Sequence, residues 1–84
     1  MGILTTKELD HKYKYHAPDK TKQDVHAFIR HELYKAAHSI NDICPPCSET
    51  MRALHKIEEA MFLANAAIAR NELTDEVKKN FGKE

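Results

Sequence analysis

Leu54-His-Lys-Ile-Glu-Glu-Ala-Met-Phe-Leu-Ala-Asn-Ala-Ala-Ile-Ala-Arg70 is the least polar stretch of a polar chain. It holds no Gly and no Pro and is rich in Ala, so its helix propensity is high. At about 100° per residue, Leu54, Ile57, Met61, Ala64 and Ile68 fall on one line, the spacing of a packed helix. Met51, Phe62, Ala66 and Ala69 form a second line, and Ala53, Ala60 and Ala67 a third. Together the lines span roughly two thirds of the circumference, where a surface helix needs a stripe only about 100° wide. One neighbour cannot cover that much. Glu58 and Asn65 point into the apolar arc and need polar contacts there.

The 84 residues read as one domain, 1–84. A chain this short builds a modest core and needs reinforcement by disulfides, metal or oligomerisation. Thirteen basic and thirteen acidic residues balance, so no global field draws duplex nucleic acid or an anionic membrane. No run of about 18 apolar residues exists to span a bilayer. The N-terminus lacks the apolar stretch of a signal peptide, and two cysteines without an export signal point to a reducing cytosol. Thr6 after Met-Gly gives a short match to an acylation motif, too common by chance to carry weight.

Working outward, Thr5-x-x-Glu8 is a capping box that opens a short helix over about 5–15. Ala17-Pro18-Asp19 ends it, because the residue before Pro avoids the helical region. Asp19 or Thr21 caps a long helix over about 20–43, with Val25, Ile29, Leu33, Ala36, Ile40 and Ile43 on one stripe. Cys44-Pro-Pro-Cys47-Ser48 stops that helix, and Ser48 caps the next, over about 48–71. Two long helices joined by so short a loop are antiparallel neighbours. Residues 72–84 form a weak tail in which Thr74 caps a turn from Asp75 to Phe81. The fold class is therefore all-α: an antiparallel two-helix hairpin with a short N-terminal helix. Its surplus apolar arc calls for a symmetric assembly in which the second long helix faces its own copy.

Little in this chain suggests catalysis. Its two glycines sit near the ends, so no glycine loop cradles phosphate, and no nucleophile elbow is present. The adjacent Glu58 and Glu59 point to different sides of a helix and cannot act as an acid–base pair. The histidines lack metalloprotease spacing, and no metal site is expected. Cys44 and Cys47 could be a redox dithiol or half a zinc site, but helices on both sides and the missing ligands favour a tight turn in which Cys is a small apolar filler. The segment from His11 to Arg30 is richer. Tyr13 and Tyr15 offer faces for base stacking, and Lys12, Lys14, Lys20, Lys22 and Arg30 offer cations for phosphate, a pattern that fits a small nucleotide.

Tyr15-His-Ala-Pro18 before a helix, then Leu54-x-Lys-Ile-Glu-Glu-Ala-Met-Phe-x-Ala-Asn-Ala-Ala-Ile-Ala-Arg70 after a proline loop, resembles the small phage anti-CBASS proteins that act as cyclic-oligonucleotide sponges. The same hairpin domain occurs in phage anti-Thoeris sponges. The likeness covers about Tyr13 to Asn71. It implies a non-enzymatic, all-helical protein that pairs head to head and assembles as a hexamer. It implies cyclic dinucleotides bound in pockets shared between paired subunits, and cyclic trinucleotides bound at separate pockets where three subunits meet. By position, Tyr15 would stack on a dinucleotide base and Arg30 would contact a base or phosphate, with His16, Lys22 and His26 as wall residues. Arg70 would pair with a trinucleotide phosphate, and Asn65 would contact that ligand or bond across the helix interface. Two features depart from the family pattern: Leu63 stands where an aromatic belongs, and the loop carries the cysteine pair.

The resulting expectation is a phage anti-defence protein in the cytoplasm of the infected bacterium, sequestering cyclic di- and trinucleotides without cofactor or metal. Two rivals stand beside it: a small phosphodiesterase that degrades such messengers, and a helical module that binds a host protein.

Overall fold

The computed structural model describes residues 2–14 and 18–82. Four helices make up its regular structure: α1 (Thr6–Tyr13), α2 (Lys20–Ile43), α3 (Ser48–Arg70) and α4 (Asp75–Phe81), with no strand among the described residues. Helices α2 and α3 form the hairpin, and α4 folds back onto α2.

Local chemistry sets the helix starts. The Thr5 hydroxyl accepts the Glu8 amide at 3.1 Å, and the Glu8 carboxylate accepts the Thr5 amide at 2.9 Å, so the capping box is closed. Those bonds hold the Glu8 carboxyl below its ordinary value, the Thr5 amide contributing most. Helix α1 stops at Tyr13, short of the expected 15. Of the two candidate caps for α2, Asp19 takes the role, its carboxylate accepting the Lys22 amide at 2.8 Å. Helix α3 differs from expectation. Its N-cap is Cys47, and Ser48 is already the first helical residue. The Ser48 hydroxyl turns instead to the Glu49 carboxylate at 3.3 Å. With Ser48 inside the first turn, its side chain no longer overhangs the amides that it was expected to cap.

The packing is one seam. On α3 the line Leu54, Ile57, Met61, Ala64 and Ile68 turns toward α2 and is half-buried or buried throughout. On α2 the covered stripe is Val25, Ile29, Leu33, Ala37 and Ile40. The sequence reading included Ala36 and Ile43 in that stripe, and both are exposed. Ile43 is 81 % exposed because it is the last residue of α2, beyond the reach of the first turn of α3. Ala37, four residues on from Leu33, keeps the seam that Ala36 leaves.

Only Val25 and Ile68 are buried among the described residues. The molecule measures 47 × 45 × 18 Å. Its thin dimension is less than two helix diameters of about 10–12 Å each, so there is no layer in which a side chain can be enclosed on all sides. Met51, Phe62 and Leu63 on α3 are each more than half exposed.

The tail is better organised than expected. Thr74 accepts the Val77 amide at 3.3 Å and caps α4. Phe81 then meets Phe28 edge to face, with ring centroids 5.4 Å apart. Leu73, Val77 and Phe81 are half-buried. That contact gives Phe28, at the margin of the α2 stripe, a neighbour that α3 does not supply.

Candidate functional site

Two polar contacts cross the seam at its open end, where α2 begins and α3 finishes. His26 Nδ1 lies 2.9 Å from Asn65 Oδ1. An amide oxygen only accepts, so the imidazole carries its proton on Nδ1 and donates. Lys22 Nζ donates to the Ala69 carbonyl at 3.4 Å. Val25 and Ile68 lie between these contacts along their helices, so the two buried side chains of the hairpin are bracketed by polar locks. Asn65 is half-buried and spends its oxygen on His26. Of the two polar groups expected to enter the apolar arc of α3, Asn65 does so, whereas Glu58 remains exposed.

Two grooves are open on the surface, one at this end and one further along the hairpin. The larger, about 540 Å³, runs between α1 and the last turns of α3. Leu63, Ala66 and Ala67 give it an apolar floor, and Lys7, His11, Lys12 and Arg70 bring basic groups around it, with Glu8 as the one acidic member. Arg70 sits in the last turn of α3, where carbonyls point outward and a cation is favoured. The Asn71 side chain answers one of those carbonyls, Nδ2 donating to Ala67 O at 3.0 Å. Lys7, Lys12 and Arg70 give the groove three basic side chains against the one carboxylate of Glu8.

The second groove, about 400 Å³, lies further along the hairpin. Leu33, Ala37, Leu54, Ile57 and Met61 form its floor. Arg30, Tyr34, His55 and Glu58 stand at its polar rim. Tyr34 continues into an aromatic row on the outer face of α2, stacked on His31 at 6.4 Å and edge-on to His38 at 5.7 Å. Among the described residues neither Arg30 nor Arg70 is held in a salt bridge. Both guanidiniums present their fork to solvent, ready for a bidentate oxyanion contact.

The residues singled out from sequence are distributed as follows. Arg30 and Arg70 occupy different grooves. Lys22, His26 and Asn65 meet in the seam contacts, although Lys22 and His26 were grouped with one ligand and Asn65 with another. Tyr15 and His16 lie outside the described residues. Sequence reasoning passed over Tyr34, His55 and Lys7 as groove residues. Tyr34 stands one helical turn after Arg30, a spacing that places both on one face and could have flagged it. No local signal marks His55 or Lys7, because each reaches its groove only through the packing of one helix on another.

Among the described residues no group of three or more His, Cys, Asp or Glu is arranged to hold a metal ion. No helix among them is long and apolar enough to cross a membrane.

Compared with known proteins, residues 6–69 match the family model described as Acb2/Tad1, hairpin domain. No curated protein and no solved structure matches the chain.

Proposed function

The chain belongs to the Acb2/Tad1 hairpin family, and on that premise we propose that it binds and holds cyclic oligonucleotide messengers without cleaving them. The match over residues 6–69 carries this reading. It covers the resemblance read from Tyr15 to Pro18 and from Leu54 on, and ends one residue before Arg70. Sequestration of the messenger would block the effectors of CBASS defence in the cytoplasm of a phage-infected bacterium.

Two separate grooves support a reading with two ligand classes. In the first class, Arg30 of the second groove contacts a base or phosphate of a cyclic dinucleotide; the stacking role of Tyr15 and the wall role of His16 rest on the family resemblance. A cyclic dinucleotide offers two charges and two flat faces in a stiff ring. A pair of subunits related by a two-fold axis meets it with two arginines and two aromatic rings. In the second class, Arg70 pairs with the phosphates of a cyclic trinucleotide, one subunit for each phosphate around a three-fold axis. Lys7, His11 and Lys12 add cationic character to that groove. Lys22, His26 and Asn65 are proposed to act by fixing the open end of the hairpin, where the Arg70 groove lies.

The exposed Met51, Phe62 and Leu63 support a homo-oligomer, with a hexamer as the family's implied state. A sponge also needs no general base, metal or nucleophile.

The test is calorimetry against cyclic di- and trinucleotides, followed by denaturation and chromatography of the released ligand. Binding with intact nucleotide returned supports the reading. A linear product would show a phosphodiesterase, and absence of any binding would leave a protein-interaction module.

A further inference from the structure

The loop between α2 and α3 carries two thiols that the nucleotide reading does not use. Cys44 and Cys47 are both free and both exposed, so neither fills an apolar gap, and the turn-filler reading fails. They are separated only by Pro45 and Pro46, whose fixed φ angles leave the short loop few conformations. Cys44 is the C-cap of α2 and Cys47 the N-cap of α3. The two residues thus stand at opposite electrostatic ends, Cys44 after the C-terminus of α2 and Cys47 before the N-terminus of the 23-residue α3, where its side chain makes no cap bond.

Thr50 sharpens that asymmetry. Its hydroxyl donates to the Pro45 carbonyl at 2.6 Å and also lies 3.3 Å from Cys47 Sγ. A hydroxyl has one proton. With that proton on Pro45, the Cys47 S–H is the donor to Thr50. When Cys47 ionises, the Thr50 hydroxyl can turn and donate to the sulfur anion instead. Thr50 is therefore a ready donor to the Cys47 thiolate, and Cys44 has no such neighbour among the described residues. Hydrogen bonding from the Thr50 side chain, and after it from the Thr50 amide, holds the Cys47 thiol below its ordinary value, although burial and the adjacent Glu49 carboxylate act the other way. Among the described residues no third ligand joins the pair to make a metal group.

We propose that the hairpin tip is a thiol–disulfide exchange site in which Cys47 is the attacking thiol and Cys44 the resolving thiol, with a low-molecular-weight disulfide as oxidant. Cys47 as thiolate attacks one sulfur of the oxidant. A bond forms from Cys47 Sγ to that sulfur, the oxidant's S–S bond breaks, and the departing thiolate takes up a proton equivalent to the one Cys47 lost. Cys44, deprotonated in turn, attacks Cys47 Sγ and expels the second thiol. The chain loses two protons and two electrons, and the oxidant becomes two thiols.

The experiment uses the full chain. Limited iodoacetamide treatment at neutral pH, with fragment mass analysis, gives the labelling rates of Cys44 and Cys47 in the same molecule. Cys47 is expected to react at least about threefold faster, because its larger thiolate fraction outweighs its lower intrinsic nucleophilicity. Thr50→Val should remove most of that advantage while leaving the Cys44 rate unchanged. Excess oxidised glutathione should convert the wild type to an intramolecular disulfide with no lasting adduct, and Cys44→Ser should trap glutathione on Cys47. Equal labelling of the two thiols, or stable adducts on both in the wild type, would overturn the proposal. The wild-type measurements stand whether or not either variant folds.

Discussion

The two faces of α3 are made of the same kinds of side chain and end in different surroundings. Leu54, Ile57, Met61, Ala64 and Ile68 are covered by α2. Met51, Phe62 and Leu63 are 54 %, 61 % and 66 % exposed. Composition does not separate the two sets; the number of neighbours does. A single antiparallel helix covers one stripe and no more. The covered face is what holds this chain together, and the uncovered face is the one that the proposed assembly would cover.

Substitutions on the two faces should therefore differ in kind. Ile68→Ala has the largest expected effect, a loss of about 2–4 kcal/mol, because it empties one of the two buried positions of the seam. Thermal melting followed by circular dichroism measures it, and a loss well under 1 kcal/mol would show that the seam is not what stabilises the hairpin. Leu63→Glu should leave helical content intact and lower the solution mass measured by light scattering, since a charge then sits in the face assigned to a second copy. An unchanged mass would remove that face from the assembly.

The same logic extends to the grooves. Arg30→Ala should weaken cyclic dinucleotide binding by about 1.5–3 kcal/mol, the range for a hydrogen bond to a charged group, and leave trinucleotide binding alone. Arg70→Ala should do the reverse. Parallel losses for both ligands in both variants would merge the two grooves into one site. Asn65→Ala should cost about 1 kcal/mol of melting stability through the lost His26 bond. A larger effect on ligand than on melting would return Asn65 to the ligand.

The smallest effect concerns α1. The Glu8 carboxyl lies below its ordinary value of 4.5 in the folded chain. Its capping contribution is present above that value and is lost as pH falls through the folded one. Amide exchange across α1 should therefore quicken between about pH 5 and about pH 3, and Glu8→Gln should flatten that dependence. Exchange at the seam should not follow it.

The hairpin was legible because its information is local. The 3.6-residue periodicity, the proline loop and the capping residues each lie within a few positions of the element they set. Errors came where a neighbour decides. Ile43 fits the stripe of α2 by spacing, yet as the last residue of that helix it is 81 % exposed. Ser48 is the expected cap of α3, and Cys47 holds that position instead. Phe81 is an ordinary tail residue until Phe28 is found beside it. For the site, Arg30 and Arg70 could be singled out by resemblance and Tyr34 by its spacing from Arg30, but His55 and Lys7 could not. Their grooves form from two helices at once, and the cross-helix register is written in no single segment.

The most direct test of the central claim is a retention measurement. The chain is mixed with a cyclic dinucleotide, passed over a membrane that retains protein, then denatured, and the released nucleotide is chromatographed. The account predicts that the nucleotide stays with the protein and is recovered unchanged. Free passage of the nucleotide through the membrane, or recovery of a linear product, would contradict it.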